Sequence, residues 1–135
     1  MLRVLTLSTL FPDSSRPNFG IFVERQTLGL AALLGVDVEV IVPIGLPPGP
    51  LGWHPYFRDR AKLPETESWK GLNVHRPRFL HLPGWAARFD AASMARAVLP
   101  IARRMHVQRP FDVIDAEFSE AMYRFRRSRS PCSAR

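Results

Sequence analysis

Two carboxylates two residues apart, Asp115 and Glu117, close the apolar run Phe111-Asp112-Val113-Ile114-Asp115-Ala116. In an extended strand such a pair points to one side. There it can orient sugar hydroxyls, or one member can act as a base if burial raises its pKa. Either carboxylate can instead cap a following helix. A second group, Asn18, Phe19 and Gly20, stands where a loop meets the first amphipathic pattern. Unpaired N–H groups and the positive end of a helix dipole favour an anion at such a place, and glycine leaves the backbone open to close approach. The alternative is local packing, with Asn18 as the helix cap and Gly20 relieving crowding. His75 and His81 lie in and just beyond an expected strand and can reach a cleft, but neither HxH nor HxxxH spacing supports a metal site. Trp53, Tyr56 and Phe57 stand beside Arg58, Arg60 and Lys62, which suits loop packing or contact with an acceptor or a membrane. The chain contains no GxGxxG, no GxxxxGKS/T and no GxSxG, so it carries no dinucleotide fingerprint, P-loop or nucleophile elbow.

These groups must be held by the elements around them. Residues 2–8 are aliphatic and end before Pro12 and Asp13-Ser14-Ser15, which predicts a buried first strand and then a long loop. From Gly20 onward, Val23, Thr27, Leu30, Ala31 and Leu34 recur at helical spacing with Glu24 and Arg25 off the stripe, predicting a helix over about 20–34 that stops at Gly35. Gly29 inside it costs about 1 kcal/mol relative to alanine. Val36, Val38, Val40 and Val42 alternate with Asp37, Glu39 and Ile41 as a second strand. A strand, loop, helix and strand in this order predict an α/β fold: a Rossmann-like parallel sheet with flanking helices and right-handed crossovers. Between 43 and 71, Pro43, Pro47, Pro48, Pro50, Pro55 and Pro64 exclude a long helix or a central strand before about residue 65. A short third strand is expected over 72–76. A helix capped by Asp90 and kinked at Pro100 then carries Ala91, Met94, Ala95, Val98, Ala102 and Met105 on one face, and a last strand follows over 111–116. Ligands of open parallel sheets bind outside the carboxyl ends of the strands. Residues 9–20, the segment from Pro43 and the pair Asp115 and Glu117 are all expected on that edge.

Composition bounds the function classes. With 135 residues, 46% of them hydrophobic, the chain can bury one modest core. No apolar stretch approaches the roughly 20 residues a bilayer requires, and Met1-Leu2-Arg3 does not open a signal peptide. The single cysteine, Cys132, excludes an internal disulfide or a cysteine-based zinc site and fits a reducing compartment. A cytoplasmic location is therefore expected, with peripheral contact at the inner face of a membrane as an option. The net charge is +7, but residues 124–135 hold five arginines and no acid. The basicity is mostly that of a terminal segment, so 119–135 is expected to be a disordered tail, and nucleic acid is not an expected partner.

Three segments together resemble a known family: Val4-Leu5-Thr6-Leu7-Ser8-Thr9-Leu10-Phe11-Pro12, Pro17-Asn18-Phe19-Gly20-Ile21-Phe22-Val23-Glu24-Arg25-Gln26, and Phe111-Asp112-Val113-Ile114-Asp115-Ala116-Glu117-Phe118. They look like the amino-terminal domain of bacterial family 4 glycosyltransferases of the GT-B fold, over residues 1–118. The resemblance implies retaining transfer of a hexosyl group from a nucleotide sugar to a sugar or lipid-linked acceptor held mainly by this domain. By position it places Asn18, Phe19 and Gly20 in the cleft-facing loop after the first strand, and Asp115 and Glu117 at the cleft edge of a later one. A bulky residue at Gly20, or loss of both carboxylates, is then expected to impair transfer without unfolding the chain. No tightly bound cofactor is implied. The nucleotide-sugar donor is expected only with a second domain carrying Glu-x7-Glu, and no two glutamates here have that separation. Beyond Phe118 the sequence departs from the family pattern, which implies a truncated or frame-shifted chain, inactive without the donor domain. The competing reading is a non-catalytic α/β module that docks to a membrane or a protein partner. No oligomeric state is implied.

Overall fold

In the computed structural model, residues 1–82 and 84–117 are described. Phe118, the expected tail over 119–135 and Cys132 lie outside the described residues. In chain order the elements are β1 (Leu2–Ser8), α1 (Ile21–Ala31), β2 (Val36–Ile41), β3 (Ile44–Leu46), α2 (Pro55–Ala61), β4 (Thr66–Trp69), β5 (Leu72–His75), β6 (Arg78–Leu80), α3 (Asp90–Gln108) and β7 (Val113–Glu117). Two 3-10 segments, Gly49–Trp53 and Gly84–Phe89, follow β3 and β6.

The main sheet runs β4-β5-β2-β1-β7, and β3 and β6 form a separate two-stranded ribbon. Strands β1, β2, β5 and β7 pair in parallel, and β4 returns antiparallel at one edge. Chain order reverses at β1, which has β2 on one side and β7 on the other, as in a doubly wound sheet. Strand alternation divides the core in two. Val4, Val38, Val40 and Val74 meet Phe11 and Val23 on the α1 face, whereas Leu5 and Ile41 meet Met94 and Val98 of α3 on the other. Each fully buried aliphatic side chain contributes about 1.5–3 kcal/mol. The expected α/β, Rossmann-like sheet with flanking helices is therefore the fold.

At the amino ends of the strands, Arg3 ties three of them together. Its side chain, mostly buried, donates to Asp37 at 3.0 Å and to the carbonyl of Arg109, and stacks over Phe111 at 4.6 Å. Its backbone N–H donates to the Asp112 carboxylate at 2.8 Å, so β7 is registered on β1 before its first residue.

Several elements depart from the sequence expectations. Helix α1 stops at Ala31, and Leu34, expected on its apolar stripe, is fully exposed. Glu24, expected off the stripe, is 2% exposed. The cause lies in the β4–β5 hairpin, whose two-residue turn Lys70-Gly71 has positive φ at both positions, 49° and 86°. That turn delivers Trp69 Nε1 and Lys70 Nζ to the Glu24 carboxylate, each at 2.7 Å. The proline-rich region also holds more structure than expected, because its prolines bracket short elements rather than interrupt long ones. Pro55 occupies the first turn of α2, where its missing N–H is no loss, and His54 Nδ1 accepts the N–H of Tyr56 at 3.3 Å as the cap. Strand β7 begins at Val113 and reaches Glu117, later at both ends than expected.

Candidate functional site

The loop after β1 is built from buried polar anchors. Asp13, 1% exposed, accepts the N–H groups of Ser15 at 2.9 Å and Arg16 at 3.0 Å and the Ser15 hydroxyl at 2.5 Å. Burial alone would raise its pKa; the Ser15 hydroxyl, the Arg16 charge and these amides together outweigh it and hold the carboxyl below its ordinary value. Beneath the loop, Arg76 is also 1% exposed, pairs with Glu67 at 2.5 Å, and donates to the Pro12 carbonyl at 3.2 Å. The loop is thus pinned to the end of β5.

Outside the carboxyl ends of β1 and β2 lies a cleft of about 300 Å³. Thr9 and Pro43, the first residues past β1 and next to the end of β2, form its sheet side, with Gly45 of β3 beside them. Tyr56, Phe57 and Arg60 of α2 form a second wall, and Phe79 and His81, Asp90 and Met94 complete it from β6 and α3. Glycine at position 45 makes room for the Phe79 ring, since a Cβ would lie 2.8 Å from it and the ring would have to shift.

Two polar groupings face this cleft. The first is His81 with Asp90, whose carboxylate binds His81 Nδ1 and accepts the Leu82 N–H at 2.9 Å. Asp90 was expected to cap α3; it is the helix's first residue and reaches back to the β6 end instead, while Phe89 holds the cap position without a side-chain bond. Holding Nδ1 leaves His81 Nε2 for a hydroxyl in the cleft. The second grouping joins the β1 loop to α2: Arg16 and Arg60 both donate to the Tyr56 hydroxyl, at 3.1 and 3.4 Å. Burial, and next the neighbouring Arg16, lower the pKa of Arg60.

Of the residues singled out from sequence, Tyr56, Phe57, Arg60 and His81 line this cleft, whereas Asn18, Phe19, Gly20, Asp115 and Glu117 are not among its lining residues. Asn18 is exposed and is not the cap of α1, a position taken by Gly20. Phe19 is half-buried beneath the Arg16 guanidinium at 3.9 Å. Gly20 has φ 65°, and a Cβ there would come within 2.5 Å of the Leu10 backbone carbon. The space is filled by the chain itself, so a bulky side chain at Gly20 would disrupt packing, contrary to the expectation that the fold would tolerate it. Asp115 and Glu117 register with Thr6 and Ser8 and share the α1 side of the sheet, both half-buried. Glu117 accepts from Gln26 Nε2 at 2.9 Å, and it stands beside β1 one residue before Thr9. Of the two histidines, His81 reaches the cleft and His75 pairs with Glu39 at 3.2 Å on the strand next door. Tyr56 and Arg60 were visible only as members of an aromatic and basic stretch. Asp90 was hidden because an acid before an apolar helical pattern reads as a cap. Among the described residues no group of three or more His, Cys, Asp or Glu could hold a metal ion.

Comparison with known proteins adds an independent line. TuaC of Bacillus subtilis (strain 168), named as a teichuronic acid biosynthesis glycosyltransferase, is 30% identical over 122 residues. The match takes in 87% of this chain but 30% of TuaC, so the chain spans under a third of that relative's length. No family model matches the chain. No solved structure matches it either. The chain is thus related in sequence to a glycosyltransferase.

Proposed function

We propose that these residues form the acceptor-holding side of a retaining, nucleotide-sugar-dependent hexosyltransferase of the GT-B type and of family 4. The observation that carries the reading is the cleft at the carboxyl edge of the sheet, where His81 and Asp90 face aromatic and cationic side chains of α2. Aromatic rings suit the apolar faces of a sugar, and a histidine fixed through Nδ1 can accept a hydroxyl proton's hydrogen bond at Nε2. The relationship to TuaC, named for teichuronic acid biosynthesis, supports transfer chemistry and a saccharide as the acceptor class. Binding and orienting the donor falls to a Glu-x7-Glu domain whose motif these residues do not contain, so the chain on its own is inactive in this reading.

Amide and side-chain NMR titrations test it. Oligosaccharide acceptors should perturb Thr9, Phe57, Phe79 and His81, and His81→Ala should weaken them about tenfold, the loss of roughly one hydrogen bond. Nucleotide sugars should leave Thr9, Phe79 and His81, away from α2, unmoved. Perturbation by nucleotide sugars, with every saccharide silent, would reverse the assignment of sides.

A second reading, docking of the same module on a membrane surface, is favoured by one observation. Trp53 and Trp85 are 79% and 78% exposed, and they follow β3 and β6, which pair in parallel and so release both segments at one end of the ribbon. Arg88 stacks over Trp85 at 5.2 Å and over Phe89 at 4.9 Å. Such an aromatic and basic rim suits the headgroup region of an anionic bilayer and brings a lipid-linked acceptor to the cleft.

A further inference from the structure

We infer that Arg16, Arg60 and Tyr56 form an anion subsite at the α2 wall of the cleft, suited to a phosphate or diphosphate group. The inference rests on the acceptor reading only in assigning that phosphate to the acceptor. Both guanidinium groups donate to one phenolic oxygen, at 3.1 Å from Arg16 and 3.4 Å from Arg60, and both lie 5.5 Å from the Tyr56 ring centre. A phenol oxygen that accepts two charged donors turns its own O–H outward as a third donor. Two guanidinium forks and a hydroxyl therefore converge, which matches the terminal oxygens of a phosphate better than the two oxygens of a carboxylate.

Charge balance points the same way. Among the described residues, the carboxylate bound to this pair is Asp13, 3.4 Å from Arg16, and it already accepts Ser15 and Arg16 amides and the Ser15 hydroxyl. Arg60 has no carboxylate within ion-pairing distance among the described residues, although Tyr56 and Arg60 both line the cavity. The Nε atoms of Arg16 and Arg60 are both buried without a hydrogen-bond partner among the described residues. Two like charges held together in partly desolvated surroundings are unfavourable until an anion joins them. Arg16 is fixed by the Asp13 turn and by stacking on Phe19, and Arg60 by α2, so the cradle is formed before any ligand arrives.

Calorimetric titration of the full chain with inorganic pyrophosphate tests the subsite. Arg60→Gln should weaken binding at least tenfold and flatten its dependence on salt. Arg58→Gln, exposed on the same helix, should stay within twofold of the parent. Tyr56→Phe keeps the ring and removes the hydroxyl; if Arg60→Gln fails to fold, a loss of at least threefold in this variant carries the test. The five arginines of 124–135 are present in every protein, so equal binding by all of them assigns the anion to that segment and overturns the proposal. Glucose 1-phosphate and micellar farnesyl phosphate separate the two sources. Arg60-dependent binding of either one supports the subsite and names a soluble or a lipid carrier, and Arg60-independent binding of both overturns it. Because pyrophosphate binding is read without saccharide, the subsite can fail while saccharides still perturb His81, and the acceptor reading can fail while the subsite stands.

Discussion

Glu24 illustrates how one side chain can be read on the wrong side of a helix. A helical wheel places it off the apolar stripe, yet its carboxylate is buried and accepts Trp69 and Lys70. Desolvation pushes its pKa up, but the bonds from Lys70 and Trp69 outweigh that and hold it below the ordinary 4.5. A lowered folded value means that the contribution to stability is complete above 4.5 and is lost as pH falls through the folded pKa. Urea denaturation across pH 3 to 7 should therefore show a steeper acid loss in the parent than in Glu24→Gln. At pH 7, Glu24→Ala should cost about 2–3 kcal/mol, most of it from stranding the indole N–H, since Lys70 remains well exposed. Gly20 is the complementary case, where of the two readings made from sequence the relief of crowding matches the packing. Its left-handed φ and the Leu10 backbone 2.5 Å from a Cβ position make Gly20→Ala destabilising on the order of 3 kcal/mol. A thermal melt checks this, and an unchanged midpoint would contradict the contact. No local pattern announces either role, because each depends on a partner distant in space.

At the scale of elements, periodicity carried most of the information. The valine alternation of β2 and the aliphatic run of β1 report burial directly, so both strands and the parallel return between them were legible. What periodicity could not resolve were pieces too short to show a period. Strands β3 and β6 have three residues each, and α2 presents no buried residue and so carries no apolar stripe. These short pieces build the far wall of the cleft, which is why its residues were legible from sequence only as an aromatic and basic stretch and a histidine that can reach a cleft. Arg76 joins these levels, linking β5 to β4 through Glu67 and to the β1 loop through the Pro12 carbonyl. Arg76→Leu should cost about 3 kcal/mol, because it leaves the half-buried Glu67 carboxylate and the Pro12 carbonyl without their donor. Chemical denaturation should show that loss, and Glu67→Gln should be milder because Glu67 is partly solvated.

For the whole molecule, the parallel sheet sets one working edge and one stapled edge. Arg3 with Asp37, Arg109 and Asp112 closes the amino ends of the strands, and the cleft opens at the carboxyl ends. No helix among the described residues is long and apolar enough to cross a membrane. In the membrane-docking reading proposed above, Trp53, Trp85 and Arg88 are the footprint. Vesicle co-sedimentation should be stronger with anionic than with neutral lipid and should fall severalfold in Trp53→Ala combined with Trp85→Ala. Equal sedimentation of parent and double variant would remove the footprint.

The two walls of the cleft are also secured to very different depths. Residues 12–16 hang from Arg76 and Asp13, each 1% exposed, whereas α2 has no fully buried residue and is held by Arg78 at the carbonyls of Ala61 and, just beyond the helix, Leu63, and by the Tyr56 contacts. Opening the first wall means breaking into the core; opening the second means breaking surface bonds. Deuterium uptake should thus be fast across α2 and slow at Ser15 and Arg16, whose amides face Asp13. The cleft is thus bounded by one wall anchored in the core and one anchored at the surface, and a slow exchange across α2 equal to that of Ser15 would contradict the difference.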